Sequence, residues 1–262
     1  MNWFLLKIME IKAILEEHIL DHIYGWLNVL GFNLPISKHL FMMLIVAFIL
    51  LIIFPIIIRS KNRFLYPIRV VIEVIFTFLR DDIVRQNFGD NSDDKIPYFA
   101  TLFFFILLMN LLGFVPYGAT ATGNISVTAG LSITTFFLII FSGIKAQGLL
   151  HYLKSFIPSD VPLWLYPIMI PVQVIGLFTR IFALAIRLFA NMIAGHIVIF
   201  VILSFIFIFG AMNIYLGLIV TAPIAVILVL FVSLLELLVS FIQAYIFTAL
   251  TAIFTAQAMT HE

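Results

Sequence analysis

The sequence predicts an all-α polytopic membrane protein with about five transmembrane helices, of which the last two are long, strongly tilted and paired as a hairpin. Of its 262 residues, 64% are hydrophobic and only 10% are charged, whereas a soluble domain has about 25% charged residues. Several apolar runs are long enough to cross a hydrocarbon core of about 30 Å. Amphipathic interfacial helices are expected between the spans. The chain has no cysteine, which excludes disulfides and thiolate metal sites.

Residues 1–38 are predicted to be an outside or interfacial segment. Acidic residues and lysines interrupt any apolar signal core there, so we expect the N-terminus to be retained. Residues 3–30 have the pattern of an amphipathic segment that rests on a membrane surface. His18 and His22 stand at metal-ligand spacing, although interfacial histidines beside acidic residues are the simpler interpretation.

The first span is predicted over residues 39–58. Basic residues follow it directly, so the positive-inside rule assigns residues 59–97 to the cytoplasm and the N-terminus to the outside. Within this loop, residues 66–88 have the pattern of an amphipathic helix on the inner membrane surface. Its Glu73 is either a proton-relay carboxylate or, more simply, the partner of Arg69 in a surface ion pair.

The second and third spans are predicted within residues 98–146. The second span covers residues 98–116 and contains Asn110, which either bonds to a neighbouring helix or lines a pathway. The connection at residues 117–124 has no charge, as expected of an outside loop. The third span covers residues 125–144.

Residues 147–262 are predicted to form an inner loop and the long helical hairpin. Residues 146–171 are expected to be irregular because prolines interrupt them. These prolines are Pro158, Pro162, Pro167 and Pro171. Residues 172–209 and 214–258 then form two apolar helices joined by an uncharged outside turn. A helix over residues 172–209 extends about 57 Å, against a hydrocarbon core of about 30 Å, so it must be tilted or broken.

The first long helix carries a cation in an apolar setting. An arginine at mid-bilayer costs about 3 kcal/mol or more, and nothing near Arg187 in sequence neutralises it. Arg187 lies on a stripe of mostly small residues, and small residues let another backbone approach closely. The stripe is Ala183, Arg187, Ala190, Asn191 and Ala194. This pattern predicts a packed or moving partner that meets Arg187, with a static salt bridge to Glu236 as the alternative.

Polar residues also mark other faces of the two long helices. His196 lies nearly opposite Arg187 on the helix, and it is either a satisfied core residue or part of a proton path with Glu236. A polar line on the second long helix indicates a narrow aqueous path or interhelical hydrogen bonding. The line is Ser233, Glu236, Ser240 and Gln243. Arg180, nearer the inside, either reaches the interface or lines an inner vestibule.

At these residues the chain resembles subunit a of the F-type ATP synthase. The core of the resemblance is A-I-R-L-F-A-N-M-I-A-G-H at residues 185–196, joined to E-L-L-V-S-F-I-Q-A-Y-I-F at residues 236–247. It extends more weakly to K-H-L-F-M-M at 38–43 and L-L-M-N-L-L-G-F-V-P at 107–116. The resemblance implies ATP synthesis coupled to proton transport through the membrane Fo sector. It implies no catalysis by this chain alone, and no cofactor or metal.

The resemblance also implies roles for individual residues. Arg187 is similar to the essential arginine that faces a carboxylate of the rotating c-ring. The proton path on the outer side is expected to be lined by the polar residues that match channel-lining positions of the family, together with Ser240 of the polar line. These are His196, Glu236, Gln243, Asn191, Asn110 and Ser240. Gln173 stands where many relatives have Glu, so Gln173 and Arg180 are candidates for the inner path, and the titratable group there stays open.

The implied partners are the c-ring, the peripheral-stalk subunit b and the lipid bilayer, with no nucleic acid. The implied location is the bacterial plasma (inner) membrane, with the mitochondrial inner membrane as the alternative. Two other classes of function fit the composition. One is a self-contained proton channel or secondary transporter, which would transport when reconstituted alone. The other is a purely structural membrane subunit, whose polar lines should tolerate apolar replacement.

Overall fold

The computed structural model describes residues 23–29, 32–60, 62–89, 92–114, 121–154 and 165–260. Several sequence-based expectations lie outside these residues. They concern most of the N-terminal segment with His18 and His22, the first part of the loop at residues 117–124, and Pro158 and Pro162. The described chain begins with two strands and continues as a series of helices.

Strands β1 (Ile23–Val29) and β2 (Phe32–Ser37) form an antiparallel two-stranded sheet. Residues 23–29 of the segment that is expected to be amphipathic are thus a strand, and their placement on a membrane surface stays a prediction. Aromatic residues such as Trp26 favour strands. Pro35, which faces Trp26 in the register, prevents a helix from continuing through this segment.

Helix α1 (Lys38–Arg59) contains a π-helical turn at Ile49–Ile53. The turn lies just before Pro55, which has no N–H to donate and whose ring crowds the carbonyl four residues earlier. The N–H of Phe54 bonds to the carbonyl of Ile49 instead. This local widening accommodates the proline without ending the helix.

Helix α2 (Tyr66–Phe78) continues into a π-helical turn, Leu79–Arg85, and a last helical turn, Gln86–Phe88. Arg69 Nε lies 2.8 Å from Glu73 Oε1, and both side chains are exposed. The interpretation of Glu73 as the partner in a surface ion pair is confirmed. Such a pair contributes little to stability because water screens it.

Three helices follow: α3 (Ile96–Leu112), α4 (Ile125–Gln147) and α5 (Leu149–Lys154). Gly148 separates the last two with a φ of 82°, a left-handed conformation that ends a helix and that glycine adopts without strain. Its N–H bonds to the carbonyl of Ile144 at 2.8 Å. The chain thus changes direction within a single residue.

Helix α6 spans Tyr166–Met212, so the expectation that residues 146–171 are irregular is wrong on both sides of the undescribed gap. Pro167 is the second residue of α6, where the N–H lacks an intrahelical partner in any helix. Pro171 lies inside the helix, but it removes only the bond to the carbonyl of residue 167. The helix therefore begins before its prolines rather than after them.

Helix α7 spans Leu216–Met259, and α6 continues to Met212, past the end that was predicted at residue 209. Asn213 alone breaks the helical pattern between Met212 and the residues that follow. Gly217 allows a close approach at this point. A Cβ on Gly217 would lie 2.6 Å from the backbone nitrogen of Gly210, whereas a Cβ on Gly210 would make only an ordinary contact at 3.8 Å.

Contacts divide the chain into two compact units, and α1, α3, α6 and α7 each contribute to both. Unit 1 takes the described residues of Met1–Val46, Leu107–Asn124 and Phe189–Ile242. Unit 2 takes those of Ala47–Ile106, Ile125–Leu188 and Gln243–Glu262.

Four helices of the described chain are long and apolar enough to cross a membrane, namely α1, α4, α6 and α7, and α3 is a shorter apolar helix. They confirm the predicted fold class of about five apolar helices in a multi-pass membrane protein, although β1 and β2 add a short sheet. Helix α6, with 47 residues, extends about 70 Å and exceeds any upright crossing. Helices α6 and α7 pair as an antiparallel hairpin.

Candidate functional site

An acid and an imidazole meet across the hairpin within unit 1. Glu236 on α7 is 7% exposed, and its Oε1 lies 3.8 Å from Nδ1 of His196 on α6. Neither carboxylate oxygen has a hydrogen-bond partner among the described residues. A buried carboxylate without hydrogen bonds is costly when ionised. The structure thus brings the two residues of the predicted His196–Glu236 pair together, with the acid buried.

Gly195 provides the space that Glu236 occupies. A Cβ built on Gly195 would lie 2.5 Å from Oε1 and 2.6 Å from Cδ of Glu236, well inside van der Waals contact. The carboxylate thus lies directly against the backbone of α6. Gly195 belongs to the run at residues 185–196 that carries the family resemblance, but the sequence did not reveal that this glycine accommodates the acid of the next helix.

A buried hydrogen-bonded chain links α3 to α7 in the same unit. Thr122 Oγ1 donates to Asn110 Oδ1 at 2.7 Å, and Asn110 Nδ2 donates to the carbonyl of Ser240 at 3.2 Å. All three residues are 0% exposed. The interhelical role that the sequence left open for Asn110 is thus present in the structure, while its part in a proton path stays a prediction.

The polar line on α7 is largely buried. Ser240 follows Glu236 by one helical turn, and its hydroxyl has no hydrogen-bond partner among the described residues. Ser233 at the other end of the line is half-buried, as is Asn191 on α6. In unit 2, Gln243 is 5% exposed. Most of the predicted outer path therefore consists of buried polar groups in an apolar helix.

Arg187, in unit 2, is exposed, in contrast to the buried Glu236. Its side chain is exposed, as is Ala183 one turn earlier, whereas Leu184 and Leu188 on the buried face are 2% and 0% exposed. No ion pair or hydrogen bond of the Arg187 guanidinium is recorded within the described ranges. Because a guanidinium is always charged, Arg187 presents a permanent positive charge on the exposed face of α6.

The small residues that follow on the same helix are open as well. In unit 1, Ala190 and Ala194 are exposed. Their methyl side chains protrude very little from the helix surface, so another helix could approach the backbone closely or slide along it. The predicted stripe is thus a real surface feature of α6.

Arg180 and Gln173 lie in unit 2, nearer the start of α6. Arg180 Nη1 donates to Gln257 Oε1 at 3.4 Å, and its guanidinium carbon lies 5.1 Å from the centre of the Phe254 ring. Both contacts connect Arg180 to α7, so part of its role is to hold the hairpin together. Gln173 is half-buried.

The chain was compared with known proteins. Residues 40–256 match the family described as ATP synthase A chain. The chain belongs to this family. It is 45% identical to ATP synthase subunit a of Chloroherpeton thalassium, over 88% of this chain and 69% of the relative. It is 44% identical to ATP synthase subunit a 2 of Chlorobium luteolum, over 89% of this chain and 68% of the relative. It is 42% identical to ATP synthase subunit a of Myxococcus xanthus, over 88% of this chain and 75% of the relative.

The match to the ATP synthase A chain family includes every predicted site residue. It also includes Thr122, which sequence analysis missed because it lies in a segment expected to be an outside loop. Thr122 and its neighbour Ala121 are instead fully buried. The uncharged, small and polar composition of residues 119–124 was the available signal, since such residues pack between membrane helices as readily as they form loops.

Proposed function

We propose that this chain is the proton-translocating stator subunit a of an F-type ATP synthase. It would provide two offset half-channels and present Arg187 to the rotating c-ring. One observation carries the proposal: a permanently charged side chain is exposed on an apolar helix, beside small residues and without a recorded ion pair. A cation placed in this way fits a carboxylate on a partner that moves past it.

The outer half-channel follows the buried polar groups. A proton enters along Asn191 and the His196–Glu236 pair, with Gln243, Asn110 and Ser240 as the other lining residues. The close approach of His196 to Glu236 supports transfer between them, directly or through one water molecule. The proton then neutralises a carboxylate of the c-ring, and only the neutral form can rotate into lipid without a large desolvation penalty.

Arg187 completes the cycle on electrostatic grounds. When the protonated ring site returns to Arg187, the positive charge favours the ionised carboxylate, so the proton leaves towards the inner side. The same charge repels protons and prevents a direct leak between the half-channels. Each proton that crosses releases about 2.3 kcal/mol per 100 mV. Gln173 and Arg180 are the proposed inner-path residues, Arg180 also being attached to α7.

The proposed setting is the plasma (inner) membrane of a bacterium, because the relatives described above are bacterial proteins. The proposed partners are the c-ring and the peripheral-stalk subunit b, within the bilayer. The predicted arrangement, with the N-terminus outside and the loop at residues 59–97 in the cytoplasm, belongs to the same proposal. The chain has no catalytic role of its own in this scheme.

The test is Arg187→Ala in the assembled synthase. ATP-driven acidification of inverted membrane vesicles should fall to background, because the ring carboxylate loses the charge that makes it release its proton. The control is Arg69→Ala, which removes an arginine from an exposed pair and should leave pumping unchanged. Wild-type pumping by Arg187→Ala would overturn the proposal. Proton flux through the chain reconstituted alone would favour a self-contained channel instead.

A further inference from the structure

We infer that Thr122 is a positioning residue for the proton path: through Asn110 it fixes the part of α7 that carries Glu236. This inference rests on the proposed function. It assigns a role to a residue in a connecting segment, outside every helix that carries the predicted path. The structural basis is the chain of two hydrogen bonds from Thr122 through Asn110 to the Ser240 carbonyl.

The chemistry of the three groups determines the direction of both bonds. A backbone carbonyl can only accept, so the atom of Asn110 that faces Ser240 must be the amide nitrogen. The amide oxygen then faces Thr122, whose hydroxyl donates to it. The Ser240 carbonyl therefore sets the orientation of the Asn110 amide, and the hydrogen bond from Thr122 holds the amide in that orientation, in which it binds α7.

Burial makes the bond from Thr122 important. Asn110, Thr122 and Ser240 are all 0% exposed, so a group that loses its partner is left without water to replace it. A buried polar group without a partner carries a large desolvation penalty. Without the Thr122 hydroxyl, the Asn110 amide would turn towards other polar atoms and its bond to α7 would weaken.

The anchored carbonyl is close to the acid. Ser240 follows Glu236 by one helical turn, so any shift of α7 at Ser240 moves the carboxylate as well. Glu236 has no room to absorb such a shift on the α6 side, because Gly195 is already in contact with it. The distance from Glu236 Oε1 to His196 Nδ1, 3.8 Å, therefore depends on the anchor at Thr122.

A positioning role for Thr122 and a purely structural role predict different effects of removing its hydroxyl. The hydroxyls of Thr134 and Thr101 donate to backbone carbonyls of their own helices, and neither has a hydrogen bond to another element in the part of the chain that the structure describes. If Thr122 only contributed to folding, its loss would reduce the amount of assembled complex. A positioning residue changes the rate of each assembled complex.

The experiment measures ATP-driven proton pumping in inverted vesicles, divided by the amount of assembled synthase. Thr122→Val keeps the shape and removes the hydroxyl, and should lower the rate per complex about three- to tenfold, the kinetic equivalent of one buried hydrogen bond. Thr122→Ser should restore most of the rate. Thr134→Val, the matched control, should pump like the wild type.

A second comparison remains if Thr122→Val does not assemble. Thr122→Ser and Thr122→Ala differ only in the hydroxyl, and Ser should pump several-fold faster per complex. Asn110→Ala combined with Thr122→Ala should be no worse than Asn110→Ala, since both act through one bond to α7. Equal rates for the Ser and Ala variants, or additive losses, would overturn the inference. If Arg187→Ala, measured in parallel, pumps normally, the proposed function fails instead.

Discussion

Substituting Gly195 by alanine should disable the proton path while leaving the protein folded. The new Cβ would start 2.5 Å from Glu236 Oε1, and ordinary contact begins at 3.4 Å, so the carboxylate has to retreat by about 0.9 Å. The obstructing atoms are the end of a flexible side chain, which can rotate away. The backbone of α6 therefore stays in place, and Glu236 loses its position beside His196.

The expected loss is large because proton transfer depends steeply on geometry. A displacement of about 1 Å at a reacting group can cost roughly a hundredfold in rate, so Gly195→Ala should pump at about one-tenth to one-hundredth of the wild-type rate per complex. The assay is ATP-driven acidification of inverted vesicles, with the amount of assembled subunit measured in the same membranes.

Two matched variants test the reasoning. Gly176→Ala lies on the same helix, and its Cβ would meet nothing within 4 Å, so it should pump and assemble normally. The double variant Gly195→Ala with Glu236→Asp shortens the acid by one methylene group and should recover part of the rate. If Gly195→Ala pumps as well as Gly176→Ala, the close contact does not position Glu236 and the reasoning is refuted.

Two further predictions follow from the hairpin. The double variant His196→Glu with Glu236→His exchanges the acid and the imidazole, and it should retain more pumping than either single alanine variant. Each single alanine variant should lose about a hundredfold in pumping rate, the scale of a lost proton-transfer group. Equal inactivity of the exchange and the single variants would contradict a shared relay. Gly217→Ala should reduce the amount of assembled subunit, because the new Cβ meets the backbone of Gly210. Overpacking of this kind costs about 1–3 kcal/mol. Normal assembly, judged by immunoblot of the purified complex, would contradict this prediction.

The helical framework could be predicted from the sequence because each span is specified locally. A run of apolar residues that covers the bilayer leaves few other structures open, since backbone groups in lipid must bond within a helix or a closed barrel. Arg187 and Glu236 were also recognisable, because an ionisable residue in such a run has a cost that only function or pairing explains. Neither inference needed knowledge of which helices touch.

Other features depend on contacts between distant segments, and the sequence could not provide them. Pro171 was expected to interrupt a helix, yet α6 continues through it because one lost bond near a helix start is a minor cost against a helix of that length. Thr122 was assigned to a loop because residues 117–124 carry no charge, and its hydrogen bond to Asn110 was hidden because Asn110 lies on another element. The role of Gly195 was hidden because Glu236 is 41 residues away in the chain.

Glu236 and Arg187 have contrasting environments, and this contrast is the strongest physical support for the proposed mechanism. Glu236 is buried against a glycine backbone and lies one turn from a hydrogen-bonded anchor, as suits a relay whose transfer distance must stay short. Arg187 is exposed beside alanine, which offers little shape complementarity to any fixed neighbour. A static packed subunit would gain stability by covering that arginine, whereas a rotating partner requires a smooth surface that it can leave.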